Sequence, residues 1–147
     1  MFEVPKMKVA ESDEEIAACF DVMKELRENL NREEFLSTIR IMKEEGYILS
    51  YLEFDGEVTS VAGFRICFNL AAEGRALYIY DLVTSQWHRS KGYGARLLDA
   101  VRDYASQRGC TVIHLDSGVF RYKAHKFYLT HGFEIRAHHF LQRLDGK

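Results

Sequence analysis

The sequence predicts an α/β (α+β) fold, a mixed central sheet flanked by helices on both faces. Three observations predict it. The chain has 147 residues, the length of one core rather than two. Its hydrophobic spacing alternates between helical and strand periods, in the order β, α, α, three strands, α, β, α and two final strands. With one proline, no internal repeat, no low-complexity stretch and no Gly/Ser linker, nothing marks a boundary, so residues 1–147 read as a single domain.

Each element has its own signal. Lys6 to Ala10 alternates polar and apolar residues and reads as a first strand. Ser12-Asp13-Glu14-Glu15 is a capping box ahead of Ile16, Phe20, Met23 and Leu26, which predicts one helix. Asn31 to Glu34 repeats the start signal, Phe35, Leu36, Ile39 and Met42 form the apolar stripe, and Gly46 closes a second helix. Tyr47 to Phe54 and Val58 to Leu70 read as strands joined by Asp55-Gly56, a dipeptide suited to a tight hairpin turn. After a loop with Gly74, Ala76 to Thr84 reads as a central strand. Leu97, Leu98, Val101 and Tyr104 then lie on one helical face, ended by Gly109. Cys110 to Leu115 is a further strand, Lys123 to Leu129 a short helix stopped by Gly132, and Phe133 to Arg136 and His138 to Leu144 are the last two strands.

Composition narrows the function. The chain is 47% hydrophobic and 29% charged, well inside the range of folded domains. A net charge of −2 lacks the basic excess that phosphate neutralisation requires, so no nucleic-acid partner is expected. Apolar runs such as Ala76 to Tyr80 fall far short of a membrane span, and the first residues lack the apolar region of a signal peptide. The expectation is a cytoplasmic protein with no membrane partner. Cys19, Cys67 and Cys110 have no CxxC spacing and read as reduced core residues, so no metal site is expected.

The stretch with readable chemistry is Arg89-Ser90-Lys91-Gly92-Tyr93-Gly94-Ala95, between a strand and a helix. Glycines there let main chain approach a ligand closely, and the first N–H groups of a helix point outward beside the positive end of its dipole. Such a turn suits a phosphate or pyrophosphate. Neither the GxxxxGK[ST] loop nor GxGxxG is present, and a glycine-rich turn without a ligand is the bland alternative.

Context adds to that pattern. Arg-x-x-Gly-x-Gly/Ala after Asp81-Leu82-Val83-Thr84, followed by Ala124-His125-Lys126-Phe127-Tyr128 and Gly132-Phe133, resembles the GNAT family of N-acetyltransferases. The resemblance runs from about Tyr78 to Phe133, with compatible topology before it. It implies acetyl transfer from acetyl-CoA to a small-molecule amine. Carried over by position, Arg89, Ser90, Lys91, Gly92, Tyr93, Gly94 and Ala95 would cradle the pyrophosphate. Ser90 stands where the family usually has glycine, and its N–H remains available. The main chain of Leu82, Val83 and Thr84 would hydrogen-bond the pantetheine arm and polarise the thioester; their side chains are also those of an ordinary buried strand.

The reaction needs a group to take the ammonium proton and one to protonate the thiolate. Tyr128 matches the tyrosine that serves the family as acid; from periodicity alone it reads as a core aromatic. Asp81, a carboxylate in the apolar strand IYDLV, is the candidate base, since desolvation there would raise its pKa. A salt bridge or a buried hydrogen-bonded carboxylate is the competing reading, and Glu134 falls in a distal strand. His138 and His139 are adjacent on a strand and point to opposite faces. His125, three residues before Tyr128, could buttress the site, and His114 reads as a structural histidine.

Val119 to Leu129, with Phe140 and Leu144, is similar to aminoalkylphosphonate N-acetyltransferases. Arg121 takes the place of the asparagine that most of the family uses to contact CoA, which makes it a candidate anion contact on the acceptor. An exposed arginine at a helix start is the simpler account. Polyamines, aminoglycosides and peptide amines remain alternative acceptors, a homodimer is an admissible assembly, and a non-catalytic acetyl-CoA sensor or interaction module is the reading from another class.

Overall fold

A computed structural model describes residues 5–71 and 74–147. The first four residues of the stretch read for a leader, and two residues of the loop before Gly74, lie outside them. The chain divides into two compact units, one ending at Leu115 and one spanning Asp116–Lys147.

The first unit opens with β1 (Lys8–Val9) and α1 (Asp13–Ala18). Ser12 caps α1 reciprocally: its Oγ accepts the Glu15 N–H at 3.1 Å, and the Glu15 carboxylate accepts the Ser12 N–H at 3.0 Å. The single helix expected here is two. The Cys19 N–H bonds back three residues to the Ile16 carbonyl at 3.1 Å, which tightens the turn before α2 (Phe20–Leu26) starts. Ile16, Phe20, Val22 and Met23 are all buried across the break, so the apolar stripe carries no trace of it. α3 (Arg32–Glu44) begins where Asn31 Oδ1 accepts the Glu34 N–H at 2.8 Å, and Gly46 follows it in the left-handed region, φ +96°.

β2 (Ile48–Phe54) and β3 (Glu57–Asn69) form a hairpin whose turn residues Asp55 and Gly56 both have positive φ, 51° and 77°, matching the right-handed twist of the strands. β4 (Gly74–Thr84) follows, then α4 (Tyr93–Gln107) and β5 (Val112–Leu115). The sheet order is β1-β2-β3-β4-β5, antiparallel up to β4 and parallel between β4 and β5. The parallel step needs a crossover, which α4 supplies. Leu49, Tyr51 and Val61 face the helices α1 to α3. On the other side of β3, the Phe64 ring meets Tyr104 of α4 at 5.3 Å, so helices cover both faces of this mixed sheet.

Of the three cysteines only Cys19 is a core residue. Cys67 is exposed near the far end of β3, and Cys110, between α4 and β5, is half-buried.

The second unit contains α5 (Tyr122–Thr130), with Gly132 following it at φ +88°. The two strands expected over 133–136 and 138–144 do not form. Alternation makes a strand only where a partner supplies both hydrogen bonds and an apolar surface. These residues enter no ladder, and Ile135, Phe140 and Leu144 are 78%, 91% and 94% exposed. His138 and His139 therefore lie on no strand, and the His139 Nδ1 sits 3.1 Å from Asp116 Oδ2.

Candidate active site

β4 organises the candidate site in the first unit. One edge pairs with β3 along its length, from Asn69↔Gly74 to Ser60↔Thr84. The other pairs with β5 only from Ala76↔Val112 to Ile79↔Leu115. Beyond Ile79 the register with β3 slips: Phe64 faces Ile79 while Gly63 faces Asp81, which leaves Tyr80 as an extra residue on β4. A bulge of this kind bends the strand and re-aims its side chains. Along that second edge, Tyr80 to Thr84 has no ladder partner among the described residues. Leu82, Val83 and Thr84 are half-buried there.

Asp81 is not the isolated carboxylate that its apolar strand suggests. Its Oδ1 accepts Arg27 Nε–H at 2.9 Å and its Oδ2 accepts the Tyr47 hydroxyl at 2.6 Å. Arg27 also donates through Nη2 to the Tyr80 carbonyl at 2.8 Å, so one guanidinium holds two consecutive residues of the bulge. The Asp81 side chain is 11% exposed and that of Arg27 51%. Burial, then the Asp81 charge, push the Tyr47 phenol far above its ordinary pKa, so it stays a donor at any working pH. Tyr47 fits because residue 63 is glycine: a Cβ there would overlap the end of its ring.

The glycine-rich stretch follows at once. Ser85 Oγ accepts the Trp87 N–H at 3.3 Å and starts a single 3-10 turn, Gln86–His88. Ser90 and Gly92 both take positive φ, 64° and 82°. Gly92 caps α4, whose first intrahelical donor is Arg96, to the Gly92 carbonyl at 3.0 Å. The N–H groups of Tyr93, Gly94 and Ala95 precede it and have no helical acceptor. No acidic residue occupies that first turn, and a Cβ on Gly92 would meet nothing within 4 Å. Arg89 and Lys91 are exposed beside it. These features fit a bound pyrophosphate: outward donors, a positive helix end and room for oxygen atoms.

The first unit thus brings Asp81, Leu82 to Thr84 and Arg89 to Ala95 onto one continuous run of chain. Tyr128 and Arg121 belong to the second unit. Half-buried Tyr128 packs edge-on against Phe127 and Phe133, at 5.5 and 5.6 Å between ring centres. Burial raises its phenol pKa, with the Arg121 guanidinium pulling the other way. Arg121 is exposed at the start of α5 and makes no side-chain cap. His125 does not turn toward Tyr128: its Nε2 lies 2.7 Å from the Gly118 carbonyl and its ring meets Tyr122 edge-on. His114 stacks on Tyr78 at 5.9 Å, and Glu134 is exposed beside Arg136.

Sequence reasoning misses Arg27 and Tyr47 altogether. One signal could have pointed to them: Gly63, a lone glycine inside a strand, marks a close approach by another group.

The model of the Acetyltransferase (GNAT) family matches residues 9–133. An uncharacterized N-acetyltransferase of Bacillus subtilis (strain 168), YhdJ, is 36% identical over 138 residues, covering 91% of this chain and 95% of its own. Among solved structures, a transcriptional regulator from Bacillus halodurans C-125 superposes with a TM-score of 0.83 at 18% identity, covering 96% of this chain and 100% of that one. An aminoglycoside N-acetyltransferase in complex with CoA superposes with a TM-score of 0.80 at 15% identity, covering 97% of each chain. At those identities the two superpositions show a shared fold.

Proposed function

The chain belongs to the GNAT family of acetyltransferases and is an N-acetyltransferase, and from that premise we propose that it acetylates the primary amine of a small molecule with acetyl-CoA. One observation carries the reading: the edge of β4 at Tyr80 to Thr84, which has no ladder partner among the described residues, leads through one short turn to the N-terminus of α4, whose first three N–H groups have no helical acceptor. An extended arm with a pyrophosphate at one end needs those two features in that order.

When bound, acetyl-CoA supplies a thioester whose carbonyl carbon accepts the amine. The N–H groups of Tyr93, Gly94 and Ala95 hold the pyrophosphate, and β4 main chain aligns the arm. Asp81 takes the ammonium proton, directly or through water; two of its lone-pair positions are used by Arg27 and Tyr47, which leaves acceptor capacity on both oxygens. As the C–N bond formed and the C–S bond broke, the Tyr128 hydroxyl would donate its proton to the sulfur, and the second proton lost by the nitrogen would pass through solvent to restore the phenol. The raised pKa of the phenol keeps its own proton in place until then.

For the acceptor, the reading is an aminoalkylphosphonate, its anion met by the Arg121 fork. Exposure of Arg121 supports this, together with the resemblance of residues 119–129. The test is a screen for CoA release with aminoalkylphosphonates, polyamines, aminoglycosides, amino sugars and peptide amines side by side. Aminoalkylphosphonates should turn over fastest, and Arg121→Ala should raise their KM far more than that of a neutral amine. Preference for a polyamine or aminoglycoside would overturn the phosphonate reading. Tyr128→Phe should lower kcat by roughly 10²–10⁴-fold with acetyl-CoA affinity unchanged; normal turnover would assign the acid elsewhere.

A further inference from the structure

We infer that Arg27 and Tyr47 are positioning residues for the reaction, holding the Asp81 carboxylate in one orientation at the β4 bulge, with Gly63 the residue that makes room for Tyr47. The inference rests on the reading of Asp81 as proton acceptor and adds the device that prepares it.

The geometry is specific. Asp81 is caught from two directions by residues of two different elements, 54 and 34 positions away in sequence. Arg27 is the C-cap residue of α2, and Tyr47 comes immediately before β2. One donor occupies each carboxylate oxygen, at 2.9 and 2.6 Å, so the plane of the group cannot rotate without breaking a charge-assisted bond. Arg27 adds a bond to the Tyr80 carbonyl, which ties the carboxylate's orientation to the bulge itself. A buried phenol is spent on the second oxygen, in a slot that exists only because β3 has no side chain at position 63.

The charged and titratable groups around Asp81 are Arg27 from the α2 end and Tyr47 from the β2 start, with Cys19 of the α1–α2 turn near Tyr47. From the sheet, the Tyr80 ring lies 6.5 Å from that of Tyr47 and carries the Arg65 guanidinium 5.6 Å from its centre. Each direct donor is bonded to its own carboxylate oxygen.

The experiment is the pH dependence of kcat/KM for the acceptor in wild type, Asp81→Asn, Tyr47→Phe, Arg27→Gln and Arg27→Lys, each checked for a native melting transition. Asp81→Asn should abolish the acidic limb. Tyr47→Phe and Arg27→Gln should each displace that limb upward, and Arg27→Lys, which restores the charge without the fork, should displace it less. KM for acetyl-CoA should not change in Tyr47→Phe, which leaves the Arg27 bond to the Tyr80 carbonyl in place. If Asp81→Asn removes the limb while Tyr47→Phe and Arg27→Gln lower activity equally at every pH, the two residues are structural and the inference fails while the base reading stands. If the limb survives Asp81→Asn, the base reading itself fails and this inference with it. Should Tyr47→Phe not fold, the half-exposed Arg27 variants decide the matter by the same limb.

Discussion

Glu25 and Arg89 join the end of α2 to the turn ahead of α4. The Glu25 Oε1 accepts the Gln86 N–H at 2.8 Å and Arg89 Nη2 at 3.3 Å. A carboxylate therefore stands beside the stretch proposed to hold a pyrophosphate. Glu25→Gln keeps an acceptor for Gln86 and removes the charge that competes for Arg89. Acetyl-CoA should then bind about two- to fivefold tighter at low ionic strength, with the gain disappearing at high salt because Arg89 is exposed. Calorimetry at two salt concentrations checks this; no change at either would place the phosphates away from Arg89.

Gly94 is the second residue of α4, among the donors that precede the first helical hydrogen bond. Gly94→Val puts a branched side chain where phosphate oxygens would sit. Acetyl-CoA affinity should fall by about tenfold or more, a loss of at least about 1.4 kcal/mol, with the melting transition retained. Unchanged affinity in a folded variant would contradict the cradle.

Ser90 holds a left-handed conformation, φ 64°, where an L-residue loses about 1–2 kcal/mol. Ser90→Gly should relieve that strain and, after the extra unfolded-state entropy of glycine, raise stability by up to about 1 kcal/mol. Ser90→Val should lower it, since β-branching worsens the same clash. Urea midpoints of the three proteins give the order; Val more stable than Gly would contradict the strain.

Gly63→Ala should destabilise by about 1–3 kcal/mol, because the new methyl overlaps the buried end of Tyr47 and forces it away from Asp81. Denaturant unfolding measures the loss. A wild-type midpoint would mean that the ring moves without cost.

Burial pushes the Cys19 thiol from 9.0 up to about 12. A pKa raised on folding contributes stability that is complete below the unfolded value and is lost as pH rises through the folded one. Unfolding should therefore become easier from about pH 9 upward, by at most about 1.36 kcal/mol per pH unit from this one group. Cys19→Ala should flatten that decline while lowering stability at neutral pH. Equal slopes in both proteins would assign the alkaline loss to other groups, the raised Tyr47 and Tyr51 phenols foremost.

The sequence by itself determined the features that depend on neighbours along the chain. The Ser12 and Asn31 caps, the Asp55-Gly56 turn, the helix stop at Gly46, and the succession of helix and strand periods are each local, because a cap or a turn is satisfied within about four residues. The mixed sheet follows from that succession, since a helix between two strands permits the parallel step.

Tertiary structure alone decided what depends on distant partners. Nothing near Asp81 in sequence announces Arg27 or Tyr47, and a lone acid in an apolar strand reads the same whether paired or bare. The break at Cys19 left the apolar stripe intact, so periodicity could not register it. Residues 133–144 show the reverse case. Their alternation satisfies the local rule for a strand, but a strand exists only through hydrogen bonds to another strand, and that is a property of the folded chain rather than of the segment.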